Sequence, residues 1–198
     1  MVKKCDRIAD IGTDHAYVPV YLVENKIAQF VYAGDVKPGP LLNAKKTIEE
    51  RDMSDKIIPI LSDGLKEIPH DCHDFIIAGM GGELIAKILS DSPWVEEIGN
   101  HFVLQPQTHP EDLRRFLFEN GYEILKEEVV RDGHHLYLAM EVVFTGKKQN
   151  FLEVDCFIGK VTSREYIDAL TSRLTKKFDA TGDKDLGILI EEVKAWQQ

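Results

Sequence analysis

The chain opens with a repeating alternation that few folds can satisfy. Apolar, β-branched runs RIADIG (7–12), QFVYAGDV (29–36), KIIPILSDG (56–64), DFIIAGMGG (74–82) and HFVLQPQ (101–107) recur along it, closing on acids, glycines or an amide. Near-continuous apolar strands are the mark of a parallel sheet buried on both faces. Two further strand patterns, YEILKEEVV and LYLAMEVVF, then follow with no helix between them, joined at Arg131-Asp132-Gly133. Asp-Gly is a strong hairpin signal. The pattern predicts five β-α units that give way to an antiparallel β-β end.

Helices fill the intervals. Pro19 sits in the opening turn of one running to about Asn25, where its missing N–H does no harm. Pro38-Gly39-Pro40 is expected to break the chain, with a helix in LLNAKKTIEER after it. ELIAKILSD carries a helical stripe at Leu84, Ile85, Ile88 and Leu89. Another helix spans Pro110 to Asn120, with Gly121 at the C-cap position. From about Phe151 the character changes to two amphipathic patterns, roughly 163–178 and 185–197, separated by Thr181-Gly182-Asp183. This divides the chain into a sheet domain, 1–148, and a helical hairpin or coiled-coil-like appendage, 149–198.

With 198 residues, 43% hydrophobic and 29% charged, the chain suits a globular domain plus a small appendage. No stretch approaches the ~20 apolar residues of a membrane span, and the N-terminus lacks a signal-peptide apolar region, so a cytoplasmic protein without membrane contact is expected. Cys5, Cys72 and Cys156 are scattered and unpaired, which suits a reducing compartment. His70-Asp71-Cys72-His73-Asp74 matches no usual zinc spacing, so no metal is expected. The net charge of −10 counts against nucleic-acid binding, although basic doublets at Lys3-Lys4, Lys45-Lys46, Arg114-Arg115, Lys147-Lys148 and Lys176-Lys177 could form a local basic face.

A ligand of an open parallel sheet lies beyond the carboxyl ends of the strands. Asp10-Gly12-Asp14, Asp35, Asp63-Gly64, Gly79-Met80-Gly81-Gly82 and Gln105 fall there. Asp35 stands 23 residues past Gly12, close to the ~20 expected for an acid on ribose hydroxyls. A carboxylate ~4 Å from a phosphate would cost roughly 1 kcal/mol in water and about 4 kcal/mol at an effective dielectric of 20. An acidic cradle therefore suits a cationic nucleoside such as S-adenosylmethionine better than a dinucleotide. GTDHAY also replaces the GxGxxG of a nicotinamide enzyme. Asp14 as a simple helix cap is the competing reading.

ADIGTDHAYVP (9–19), AGDVKPGP (33–40), SDGL (62–65), IAGMGGELIAKIL (77–89) and LQPQ (104–107) together resemble the bacterial tRNA (adenine-22-N1)-methyltransferases of the TrmK type, from about residue 7 to 145. The resemblance implies a class I methyltransferase, Rossmann-like α/β sheet of seven strands, mostly parallel with a C-terminal antiparallel hairpin. It implies S-adenosylmethionine as donor and N1 of a tRNA adenine as acceptor. Carried over, Asp10 and Gly12 line the donor's methionine part, Asp35 with Val36 the ribose, and Asp63-Gly64 the adenine. Ala78-Gly79-Met80 forms the floor near the methyl group. Where the family has a Lys- and Arg-rich helix before the first strand, only about six residues stand here, so a substrate-facing segment is expected to be missing. Gln107 stands in place of an expected Asn.

For such a transfer, Asp14 is the first candidate to accept from the adenine N6–H, with Gln105 second. His15 could relay a proton or contact a phosphate, with a packing histidine as its alternative. Tyr17 could stack on an unpaired base, with plain core as its alternative. A same-fold methyltransferase on a small molecule or protein, and a non-catalytic RNA-binding module, are the rival functions. A monomer is favoured.

Overall fold

In the computed structural model, described over residues 1–196, seven strands form one sheet. The chain runs β1 (Cys5–Ile11), α1 (Tyr17–Glu24), β2 (Ala28–Asp35), α2 (Pro38–Glu50), β3 (Ile57–Leu61), β4 (Asp74–Gly81) and α3 (Gly82–Ser90). It continues through β5 (His101–Thr108), α4 (Pro110–Glu119), β6 (Tyr122–Asp132), β7 (His135–Phe144), α5 (Glu153–Ile158), α6 (Arg164–Thr181) and α7 (Lys184–Trp196). The strand order is β3-β2-β1-β4-β5-β7-β6, with β7 antiparallel to β5 and β6. The sheet reverses direction of winding between β1 and β4, and that switch point is where an open α/β sheet receives its ligand.

Two sequence expectations change. There are four β-α units rather than five, because β3 reaches β4 through turns over 62–73 with no regular helix. Leu65, Ile68 and Cys72 of that link are nevertheless buried, so an irregular segment covers the sheet where a helix would. Pro38-Gly39-Pro40 does not break the chain but begins α2. The first-turn N–H groups of a helix have no internal partner, so prolines there remove nothing. Gln197, the last residue of the second expected C-terminal helix, lies outside the described residues. No helix among the described residues is long and apolar enough to cross a membrane.

The core has two main layers, one on each face of the sheet. Phe75, Phe102 and Tyr122 pack in aromatic contact on one side, with α3 and α4. Val20, Leu22, Ala44 and Ile48 from α1 and α2 cover Ile8, Val31 and Ile57 on the other. The α6–α7 hairpin has apolar packing of its own, with Ile167, Leu170 and Leu174 against Leu186, Leu189 and Val193.

One buried ion pair ties α5 to the sheet. Arg114, read from sequence as half of a basic surface doublet, is fully buried on α4. Its Nε donates to Glu127 Oε1 at 2.8 Å, and Nη1 donates to the carbonyls of Cys156 and Phe157 at 2.7 and 2.9 Å. Glu127 also accepts from the Lys160 N–H. Gly159 has φ +61 and stands where any Cβ would collide with both charged side chains. Arg115, next to Arg114, is spent on Glu153, so this doublet contributes no free basic patch. Removing one partner strands the other charge. Glu127→Ala should therefore lower unfolding free energy by about 3–5 kcal/mol, measured by urea denaturation. Arg114→Met/Glu127→Leu should recover most of that loss.

Candidate functional site

The site is built from the carboxyl ends of β1, β2, β4 and β5. After β1 the chain turns through three residues with positive φ: Gly12 (+81°), Asp14 (+45°) and Ala16 (+57°). Aspartate tolerates this region; alanine does not, so the turn holds strain of a kind that clusters at functional sites. The turn is held by its own amides. The N–H groups of Gly12 and Thr13 both donate to Gly34 O, at 2.8 and 3.0 Å, and that of Ala16 to Thr13 O. The Asp14 N–H points to Asp35 Oδ2 at 3.4 Å. The amides that a phosphate-binding turn would offer are thus already engaged within the protein. Ala16 is the N-cap of α1 and no side chain caps that helix, so the capping reading of Asp14 does not hold.

The carboxylates have different environments. Asp10, at the end of β1, is only 4% exposed. Burial pushes its pKa up to about 6; Thr13 partly counters this and the neighbouring Asp35 adds to it. Asp35 is buried at the end of β2, where it also accepts from the Lys37 N–H at 2.8 Å. Asp14 is exposed, with His15 Nε2 3.7 Å from its carboxylate. Asp63 lies in the turn after β3 and pairs with Lys66. Ser62 Oγ donates to Gly64 O at 2.8 Å, which shapes that turn, and Gly64 (φ +66) has Ile88 packed where a Cβ would be. Val36, just past Asp35, is exposed.

Met80 of β4 reaches over the turn that follows β1. A Cβ on Gly12 would collide with the Met80 methyl, so Met80 lies directly over the turn as part of its wall. Gly79, at φ +79, donates its N–H to Gln105 Oε1 at 2.9 Å. Gln105 Nε2 is buried without a partner. Ala78, Gly79 and Met80 thereby form one continuous edge with Gln105.

His15 and Tyr17 lie at the rim. Their rings stack at 5.3 Å, and Tyr17 is 67% exposed. Tyr17 is therefore not a core residue, while His15 is partly buried and packs against the Tyr17 ring. Gln107 had been given no role; its Nε2 lies 3.8 Å from the point a Gly79 Cβ would occupy. The sequence signal was its place in LQPQ, two residues beyond Gln105 on the same face of a strand.

The remaining groups with metal or nucleophile chemistry are otherwise engaged. His70 stacks on Trp94 at 4.1 Å, and His73 Nδ1 is 2.8 Å from Asn100 Oδ1. Burial pushes the thiols of Cys5, Cys72 and Cys156 up to about 11, 12 and 11, so none is a ready thiolate. Among the described residues, Glu83, His109 and Asp112 bring donor atoms within 4.8 Å of one another, all three exposed.

Comparison with known proteins places this geometry. Residues 1–140 match the family model described as a methyltransferase domain. The tRNA (adenine(22)-N(1))-methyltransferase of Bacillus subtilis is 37% identical over 131 residues, a match covering 66% of this chain and 55% of that protein. The chain thus matches only about half the length of that relative. The crystal structure of Streptococcus pneumoniae Sp1610 in complex with S-adenosyl-L-methionine has a TM-score of 0.87 and 28% identity, covering 98% of this chain and 94% of that one. M. capricolum TrmK in complex with S-adenosyl-homocysteine has a TM-score of 0.85 and 25% identity, covering 99% and 92%. The chain belongs to the methyltransferase-domain family and, within it, to the TrmK family.

Proposed function

We propose that the chain transfers a methyl group from S-adenosylmethionine to N1 of an adenine in tRNA. The observation that carries this reading is the turn 12–16, which presents the Asp14 carboxylate beside the buried Asp10 and Asp35 and keeps its amides for β2. A cation gains there what a pyrophosphate would lose. The site fits the donor on this chain's own features: the acidic strand ends at Asp10 and Asp35, the room left beside Gly79, and the unpartnered Gln105 Nε2. Asp10 and Gly12 would hold its methionine part, Asp35 with Val36 its ribose, and Asp63-Gly64 its adenine. Bound over Ala78-Gly79-Met80, it supplies an electrophilic methyl group.

The protein's own part is positioning. Adenine N1 has a free lone pair, so no base is needed to generate the nucleophile; the acceptor must be aligned behind the bond that breaks. Methylation leaves the base cationic. An Asp14 carboxylate accepting from N6–H then binds the transition state more strongly than the ground state. Gln105, fixed by the Gly79 N–H, borders the same floor. Tyr17, with His15 stacked behind it, offers an exposed ring to a base taken out of its pair. The division into a donor-binding unit, 1–148, and a helical appendage, 149–198, belongs to the same reading, as does a cytoplasmic setting where tRNA is met.

The direct test is transfer of labelled methyl from the donor to unmodified tRNA, abolished by changing one adenine to guanine. Label taken up only by small molecules or proteins would overturn it. Asp14→Asn should cut turnover at least tenfold, while calorimetry shows donor affinity within about threefold of wild type, since one charge-assisted hydrogen bond is worth about 1.5–3 kcal/mol.

Asp10 gives a pH prediction. Its folded pKa of about 6 lies above the ordinary carboxylate value, so the ligand-free fold loses stability as pH rises from about 4 to 6. Ionised Asp10 then costs about 3 kcal/mol at neutral pH. Asp10→Asn without ligand should melt above wild type at pH 7.5, and the gap should close below pH 4. The same variant should bind the donor more weakly. A variant less stable than wild type at pH 7.5 would contradict this account of Asp10.

A further inference from the structure

Beyond the carboxyl end of β5 lies a second cavity of about 420 Å³, distinct from the donor cleft. The end of β5 and the β5–α4 turn form one wall through Gln107 and His109, β7 forms the floor through Leu138, and α6 closes it with Tyr166, Ala169 and Arg173. Its size falls in the range of about 300–1,000 Å³ seen for ligand sites. His109 is held with positive φ (+52°) as the N-cap of α4, and its carbonyl abuts Gly82 so closely that no Cβ would fit there. The cavity wall is thereby locked to the β4–α3 junction. Gln107 stands on both sides of that wall: it lines the cavity, and its amide reaches the Gly79 edge of the methyl-transfer floor.

The lining has a definite chemistry. Leu138, Leu170 and the Tyr166 ring give an apolar lining, while the Gln107 amide and the Arg173 guanidinium supply the polar groups. Arg173, about half exposed, is paired through one Nη with the largely buried Glu111 at 3.1 Å, and its guanidinium carries further N–H groups that can meet a phosphate beside that pair. A flat, mostly apolar body with a hydrogen-bonding edge and one negative charge fits these groups together. We propose that this cavity takes the unpaired nucleotide next to the methylated adenine. Its base sits against Leu138 and Tyr166, Gln107 reads its edge, and Arg173 meets its phosphate. This rests on the tRNA reading above and deepens it.

Ala169 is exposed on α6 and faces the cavity, so Ala169→Trp fills the space without touching the core. Ala169→Ser is the control for the helix surface. Steady-state methylation of tRNA should show KM raised at least tenfold in Ala169→Trp and unchanged in Ala169→Ser, with donor affinity and melting temperature of both as in wild type. A tRNA abasic at the nucleotide adjoining the target should raise KM in wild type by a similar factor and add nothing in Ala169→Trp. Wild-type kinetics in Ala169→Trp, or additive losses in the tryptophan variant on abasic tRNA, would overturn the subsite and leave the proposed activity standing. Donor binding without any methylation of tRNA by the wild-type chain would overturn the activity itself, and the subsite with it.

Discussion

A carboxylate buried at the end of the central strand is the constraint on which the rest of the site depends. Asp10 sits on β1 at the point where the sheet changes winding direction, with Asp35 beside it at the end of β2. Neither has a cationic side chain to pair with in the hydrogen-bond and ion-pair pattern of the described residues. A cleft arranged in this way is at its least comfortable when empty and ionised, and a positive ligand relieves it. The backbone agrees with the side chains, since the turn after β1 spends its N–H groups on Gly34 and Asp35 and offers few to an anion.

The surrounding fold holds this constraint in place. Gly82 lets the start of α3 approach the His109 carbonyl more closely than any Cβ would permit, Gly12 leaves room for the Met80 methyl, and Gly79 takes up a positive φ. The Gly79–Gln105 hydrogen bond links the ends of β4 and β5. Farther away, the Arg114–Glu127 pair fastens α5, and through it the path to the C-terminal helices, onto the sheet. The second cavity is closed by α6 lying across from the β5–α4 turn. Fold stability and substrate-side geometry are therefore linked through contacts that lie outside the donor cleft.

The β-α alternation and the closing hairpin were legible because both are local. Strands buried on two faces read as apolar runs, and Asp132-Gly133 marks its turn without help from distant residues. The carboxylates at the strand ends could be found for the same reason. What escaped the sequence depends on long-range packing. Arg114-Arg115 reads as a surface doublet until the helix register of α4 turns one side chain inward onto Glu127 and leaves the other half-exposed on Glu153. The link from β3 to β4 has buried residues but no periodicity, so counting five β-α units overran by one where turns do the covering. Pro38 and Pro40 are helix breakers in mid-helix and helix starters in a first turn, and only the position of α2 decides between these. The second cavity joins residues about sixty positions apart, beyond the reach of any motif.

The measurement that bears most directly on the acidic cleft is parallel calorimetric titration of the chain with S-adenosylmethionine and with NAD at neutral pH. Saturable binding of the sulfonium compound, with no detectable heat from the dinucleotide, is the predicted result. Tight binding of NAD with S-adenosylmethionine ignored would contradict the account at its foundation.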